Sequence, residues 1–400
     1  GLVQSLNTVL LPSVPGLAIY VVLAVFLLFK PNGLFPAVGA QAEGTHESHG
    51  GGTSSRSRVS RGVWQALGTA LVLVLATLPL WISAGPLYVV GTVLIQVVFA
   101  LSWNMLFGYT GLVSFGHAAF YAIGAYLAAL ALKNIEGVPF LGVLAGAALF
   151  GAVAAWVVGV LALRRMTGVF LAVLTVALAE ALRLVIGFSS WLGREDGITD
   201  IPRPMLDFGL FAIDIGSSEA YYWFLLAATV LITAFMWWLL HSRFGRTLQT
   251  IRQDPERAAF MGTNVAGYRL SAFVISGAVA AVAGAMYAPW ARIVTVEEVH
   301  WLASAQPMLN TLLGGVSSFW GPVVGAGLFA AIAYSTRTLI GLSELIVGSG
   351  LLVIILLAPN GAVGMWRQFE ERLWGRRAGA LPDGHDAAAP LRRLKEGAAQ

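Results

Sequence analysis

From Val138 to Ala162 the chain runs for twenty-five residues without one charged side chain. A helix needs about 20 apolar residues to cross the hydrocarbon layer of a bilayer, so this stretch already names the solvent that the fold must face. Similar runs lie at about 10–29, 63–84, 87–107, 115–132, 168–188, 221–241, 269–288, 305–318, 322–338 and 341–358. Inside lipid every backbone N–H and C=O must be satisfied within the protein, and runs of this length do that as helices. The fold class expected is all-α: a polytopic transmembrane helix bundle. Composition agrees, with 58% hydrophobic and 11% charged residues where soluble domains carry roughly 25% charged residues. The 46 glycines follow no collagen period, and in a membrane bundle small residues let helices approach closely.

Basic residues orient the bundle. Lys30, Arg56, Arg58 and Arg61 precede the second run, and Arg164 and Arg165 follow the fifth. Arg243, Arg246, Arg252 and Arg257 follow the seventh, and Arg367, Arg372, Arg376 and Arg377 follow the last. Alternating crossings put all four groups on one side, the expected cytoplasm. Lys133, the acidic loop 189–220 and Glu297 with Glu298 fall on the other side. The count closes only if the short segment 305–318 crosses or deeply enters the membrane. A net charge of +4 could suggest a nucleic acid partner. The cations instead sit in short loops and tails, so a lipid bilayer and no nucleic acid is the reading.

The chain divides into an apolar segment with its exit at 1–36, a Gly/Ser/Thr-rich flexible linker at 37–62, a bundle at 63–366 and a polar tail at 367–400. His46 and His49 lie in the linker, where nothing rigid would hold their rings on a metal. There is no cysteine, which excludes disulfides and thiolate metal sites. A secretory signal peptide does not fit the first run, which has no basic residue before it and no small-residue cleavage site after it.

Polar groups inside the membrane are costly and point to function. They concentrate in 102–126, where Asn104, Tyr109, Ser114 and His117 share the stretch with Gly108, Gly111, Gly116 and Gly124. Glycine at this density breaks a helix, and broken backbone at membrane depth survives only in protein or along a cavity. A second stretch holds Asn310, Gly314, Gly315, Ser317, Ser318, Gly321 and Pro322, with Asn310 and Gly314 spaced as Asn104 and Gly108 are. Such paired, interrupted or re-entrant segments point to a translocation site. Gly-rich turns between close-packed helices, with Asn and Ser bonding across them, are the other reading. His117 alone fits a packed, hydrogen-bonded ring as well as a proton relay. Glu180 and Arg183, three apart, fit a self-neutralising intrahelical pair as well as a place on the path.

The longest stretch between two spans on the basic side, 242–269, reads as two short helices. Asp254 is a good N-cap, Pro255 suits the first helical position and Gly262 suits a C-terminal stop. A short capped helix displaying Phe260 and Met261 reads as a peg for another protein's groove or as a plain amphipathic connector.

This stretch resembles the coupling loop of ABC-importer permeases, whose pattern is Glu-Ala-Ala, three residues, then Gly. Here Glu256-Arg257-Ala258 is followed after three residues by Gly262, with Arg257 in place of the first Ala. The wider likeness is to the M-type permease of branched-chain amino acid ABC importers. It rests on "LSWNMLFGYTGLVSFGHAAFYAIGAY" (101–126), "LRRMTGVFLAVLTVALAEALR" (163–183), "GRTLQTIRQDPERAAFMGTNV" (245–265) and "LNTLLGGVSSFWGPVVGA" (309–326). "GREDGITDIP" (193–202) is similar to a family Gly-Gly-x-Asp-Gly turn, with Arg194 in place of the second Gly. Pro-Asn-Gly follows an apolar run at 31–33 and again at 359–361. Residues 1–36 resemble the tail of the companion H-type permease, as in an H–M fusion truncated at its N-terminus.

The resemblance implies an importer assembled from this subunit, an H-type permease, two cytoplasmic ABC ATPases and a periplasmic amino acid-binding protein. The chain would be a transport subunit and not an enzyme, without a cofactor, in a bacterial inner membrane with a cytoplasmic C-terminus. Asn104, Gly108, Tyr109, Gly111, Ser114, Gly116, His117, Asn310, Gly314 and Gly315 would line the path. Arg246, Arg252, Asp254, Pro255, Glu256, Ala258, Phe260 and Gly262 would form the ATPase-coupling loop. Relatives carrying urea or amides share this layout. An ion-coupled secondary transporter would need buried carboxylates or histidines, and only His117 and Glu180 qualify. An intramembrane enzyme finds no support, since there is no Gly-Lys dipeptide, no His-Glu-x-x-His and no Gly-x-Ser-x-Gly.

Overall fold

A computed structural model describes residues 61–163, 168–207, 212–336, 348–349 and 361–365. The first apolar run with its Pro-Asn-Gly at 31–33, most of the linker, Arg164 and Arg165, nearly all of the run at 341–358 and the tail 367–400 lie outside the described residues.

Eleven α-helices occur among the described elements: α1 Arg61–Thr77, α2 Ala84–Asn104, α3 Ala118–Asn134, α4 Phe140–Ala162, α5 Val169–Phe188, α6 Ser218–His241, α7 Arg243–Gln253, α8 Pro255–Phe260, α9 Val265–Ala291, α10 Trp301–Gly314 and α11 Gly321–Thr336. Among the described residues, five spans are long and apolar enough to cross a membrane: Ala84–Thr110, Phe140–Ala162, Phe170–Phe188, Ser218–His241 and Val265–Ala291. The protein is an all-α, multi-pass membrane bundle. Helix α1 begins at Arg61, so the last two residues assigned to the linker are helical.

The centre of the bundle is α9, which packs along α3, α4 and α2. Its inner faces read Ser276, Gly277, Ala280, Ala281 and Gly284, small enough for main chains to meet. A Cβ at Gly284 would fall 1.8 Å from the Tyr121 carbonyl oxygen, and one at Gly124 1.8 Å from that of Ala281. Dispersion between closely packed backbones, with little hydrophobic drive left in lipid, holds such pairs.

At one end the acidic loops gather. β1 (Ile198–Thr199) pairs antiparallel with β4 (Ile293–Val294), and β2 (Met205–Asp207) with β3 (Ala212–Asp214). Lys133 Nζ donates to the Thr199 carbonyl at 3.0 Å. The expected grouping of Lys133 with the 189–220 and 297–298 loops is therefore observed. Tryptophans 81, 191 and 301 are exposed in this region, as aromatic belts at a membrane interface require.

The short segment 305–318 forms most of α10, about 21 Å long at 1.5 Å per residue. It starts beside the acidic loops and ends where Gly314 and Gly315 meet Gly361. At that length it falls short of a full span. Helix α11 returns antiparallel to it, and the pair is zipped by glycine. A Cβ at Gly314 would lie 1.7 Å from the Gly321 carbonyl oxygen, and one at Gly325 1.7 Å from that of Asn310.

Candidate functional site

The stretch 102–118 breaks as its glycines require, though in a particular way. Helix α2 loosens into a π-turn at Met105–Thr110 and stops at Gly111, whose φ of +74° is left-handed. Residues 112–116 are non-helical, and α3 starts inside the protein. Side chains satisfy this backbone. Trp103 Nε1 donates to the Ser114 carbonyl at 3.0 Å, Phe115 N–H to Thr175 Oγ1 of α5 at 3.2 Å, and Ala118 N–H to Ser304 Oγ of α10 at 2.8 Å. Gly116 is pressed against α5, since a Cβ there would lie 1.9 Å from the Thr175 carbonyl oxygen.

His117 is fully buried, stacked on Phe99 and edge-on to Phe120. Its Nε2 lies 2.9 Å from Ser102 Oγ and 3.5 Å from Ser276 Oγ. Ser102 Oγ is also 2.7 Å from the Phe99 carbonyl, a separation two oxygens tolerate only with a proton between them. The Ser102 proton is thereby committed, so His117 Nε2 is the donor and Nδ1 the bare acceptor. Ser276 Oγ spends its own proton on the Ser102 carbonyl at 2.6 Å. The ring thus joins α2, α3 and α9.

Other polar atoms in this region are buried without a partner among the described residues: both amide atoms of Asn104, Ser114 Oγ, Asn310 Oδ1, Ser318 Oγ and Gln96 Oε1. Among the path residues named from sequence, Asn310 lines a partly open cavity of about 300 Å³ between α2, α10 and α11. Tyr88, Thr92 and Gln96 of α2 line it with Gln306 of α10 and Phe329 of α11. Asn104, Gly108, Tyr109, Gly111, Ser114, Gly116, His117, Gly314 and Gly315 lie off that cavity. Tyr109 is buried in the π-turn, and Gly108 faces the Asn104 side chain and the Val316 carbonyl. Sequence reasoning missed Gln96, Gln306, Thr175, Ser276 and Ser304. Their signal was an uncharged amide or hydroxyl within or beside an apolar run.

Glu180 does more than pair along its helix. Arg183 Nε donates to Oε2 at 2.6 Å, while Oε1 accepts from the Trp301 N–H at the start of α10 at 3.2 Å and lies 3.8 Å from His300 Nε2. A buried carboxylate at a helix N-terminus satisfies a free donor and opposes the dipole.

At the basic end, Ser242 caps α7 and Asp254 Oδ1 caps α8 by accepting the Arg257 N–H at 2.9 Å. Pro255 is at the first helical position, and Gly262, with φ +84°, follows the helix end. Ala258 is buried inward, while Glu256, Phe260 and Met261 point out, the last two 91% and 79% exposed. Arg246 and Arg252 both remain exposed, and the Arg252 guanidinium reaches across to donate to the Gly108 carbonyl.

Comparison with known proteins now bears on this geometry. The family described as "Branched-chain amino acid transport system / permease component" matches residues 85–358. The chain is similar to the high-affinity branched-chain amino acid transport system permease protein LivM of Salmonella typhimurium, 28% identical over 74% of each chain. It is similar to LivM of Escherichia coli K12 at 29% identity over the same shares. The likeness extends to LivH of Escherichia coli K12, 26% identical over 66% of this chain and 90% of that protein. No solved structure gives a significant match. With well over half its length matched and a bundle of membrane-length helices, the chain belongs to the branched-chain amino acid transport permease family, on the M-type side of it.

Proposed function

We propose that residues 63–366 form the M-type permease of an ATP-driven importer of leucine, isoleucine, valine or related amino acids. Its partners would be an H-type permease, two cytoplasmic ABC ATPases and a periplasmic amino acid-binding protein. The bundle sits in a bacterial inner membrane with α7, α8 and the C-terminus in the cytoplasm. The acidic loops face the periplasm, where the loaded binding protein docks.

The observation that carries this reading is the cavity between α2, α10 and α11, where Gln96, Gln306 and Asn310 stand with Tyr88, Thr92 and Tyr334 in a largely apolar lining. Its volume lies at the small end of the ligand-sized range of about 300–1,000 Å³. Aliphatic and aromatic walls with a few polar groups suit an amino acid with an apolar side chain. The H-type permease closes the open side. Asn104, Gly108, Tyr109, Gly111, Ser114, Gly116, His117, Gly314 and Gly315 form the broken-helix framework at the inner end of the path. Alternating access follows from movement of this framework. Phe260 and Met261 seat in a groove of the ATPase, with Arg246, Arg252, Asp254, Pro255, Glu256, Ala258 and Gly262 shaping and orienting that peg.

The test is reconstitution of the chain with candidate partner permease, ATPases and binding protein in proteoliposomes. Uptake of labelled leucine, isoleucine and valine should require internal ATP and the binding protein. Uptake driven by a proton gradient alone, or uptake of urea or amides in preference, would replace the reading.

A further inference from the structure

Helix α7 lies against the π-turn that ends α2, and Arg252 is where they join. Gly245, Leu248 and Ile251 form the buried stripe of α7, and Arg252, the next residue, is exposed at the border of that stripe with its guanidinium on the π-turn. The last carbonyls of a helix have no downstream backbone donor. At the end of α2, Gly111 N–H returns to Phe107 and Leu112 N–H to Leu106. Arg252 Nη1 donates to the Gly108 carbonyl, and a cation at a helix C-terminus also opposes the negative end of its dipole. The Arg252 stem runs over Gly111, its Cγ 3.3 Å from where a Cβ would be.

The contacts continue on both sides. A single extended residue, Asp254, separates α7 from α8 and its exposed Phe260. A tight elbow fixes α7 to the end of α6, since a Cβ at Gly245 would fall 1.9 Å from the Leu240 carbonyl oxygen. On the far side of the π-turn, the Val316 carbonyl oxygen stands 3.0 Å from the Cβ position of Gly108. The 315–320 turn in turn abuts Gly361. A load on α8 has a continuous route inward through α7, Arg252, the π-turn and then the turn between α10 and α11.

We propose that Arg252 is the positioning residue that transmits ATPase movement to the inner end of the path, by pinning the Gly108 π-turn to α7. This rests on the functional reading above, and two measurements separate the pair of ideas. In the reconstituted complex, R252A should raise the ATP hydrolysed per amino acid imported by about tenfold, the scale of one charge-assisted hydrogen bond. R252K should restore most of the coupling and R252Q little of it. Hydrogen exchange over 105–117 in the purified complex should quicken by about tenfold in R252A, with exchange in α4 unchanged.

A wild-type ATP-to-solute ratio in R252A and R252Q, with unaltered exchange over 105–117, would overturn the proposal. Uptake lost only in proportion to lost folded complex, at a constant ratio, would overturn it too. If R252A does not fold, R252Q decides by the same ratio. Failure of the wild-type complex to couple uptake to ATP would refute the functional reading, and the exchange experiment would still decide whether Arg252 pins the turn.

Discussion

Ala118 N–H, at the first turn of α3, donates to Ser304 Oγ of α10 at 2.8 Å, across 186 residues of sequence. A helix that begins inside the bundle is thus capped by a different helix. Replacing Ser304 with Ala would strand a buried donor, at a cost of about 1–3 kcal/mol. Thermal unfolding of the purified protein should show S304A less stable than the wild type and S304T close to it. Equal melting of S304A and the wild type would mean that the bond contributes nothing.

Arg194 occupies φ +53°, a left-handed conformation that favours glycine. Side-chain strain of about 1–2 kcal/mol is only partly offset by the greater freedom of Gly in the unfolded chain, about 0.4–1 kcal/mol. R194G should therefore raise stability by a fraction of a kcal/mol up to about 1 kcal/mol. A lower melting temperature for R194G would show that the arginine side chain holds the loop by contacts outweighing the strain.

Glu298 lies in the loop between α9 and α10. Burial pushes its carboxyl above the usual range, the Tyr287 hydroxyl draws it partly back, and Glu297 nearby adds to the rise. A carboxyl raised in the folded state binds its proton more tightly there than when unfolded. Its contribution is complete below the unfolded value near 4.5 and is lost as pH rises through the raised folded value. Across that window stability should fall with rising pH, and E298Q should flatten the slope. Identical pH profiles of melting temperature for the two proteins would exclude the effect.

Phe260 is 91% exposed on α8. Truncating an exposed side chain usually changes stability by less than about 0.5 kcal/mol. F260A should melt like the wild type yet retain less ATPase on co-purification, measured as subunit stoichiometry. Full stoichiometry would remove Phe260 from the contact.

Much of the bundle was legible because a charge-free run in a membrane has one solution. The limits came from caps and partners. Helix α9 starts at Val265, earlier than the apolar run at 269 suggests, because Asn264 Oδ1 accepts the Gly267 N–H at 2.9 Å and so carries the helix through Tyr268 and Arg269. The caps of α8 were readable because Asp254, Pro255 and Gly262 act locally. Glu180 showed only half its role in sequence. Arg183 is three residues away, but the Trp301 N–H is 121 away, and no local pattern encodes it. Glycine density correctly marked the break after Asn104. The bonds that stabilise it come from Thr175 and Ser304, isolated hydroxyls that look like ordinary helix surface until the fold brings them in. The cavity of Gln96 and Gln306 was hidden for the same reason.

The glycine contacts between α10 and α11 have a mechanical outcome. Where two main chains touch, neither helix can roll about its own axis without driving its carbonyls into the other. A tilt of the hairpin would therefore carry both helices together. A solute lodged between it and α2 would meet a single swinging face, whose stroke is set by whatever pushes at its 315–320 tip.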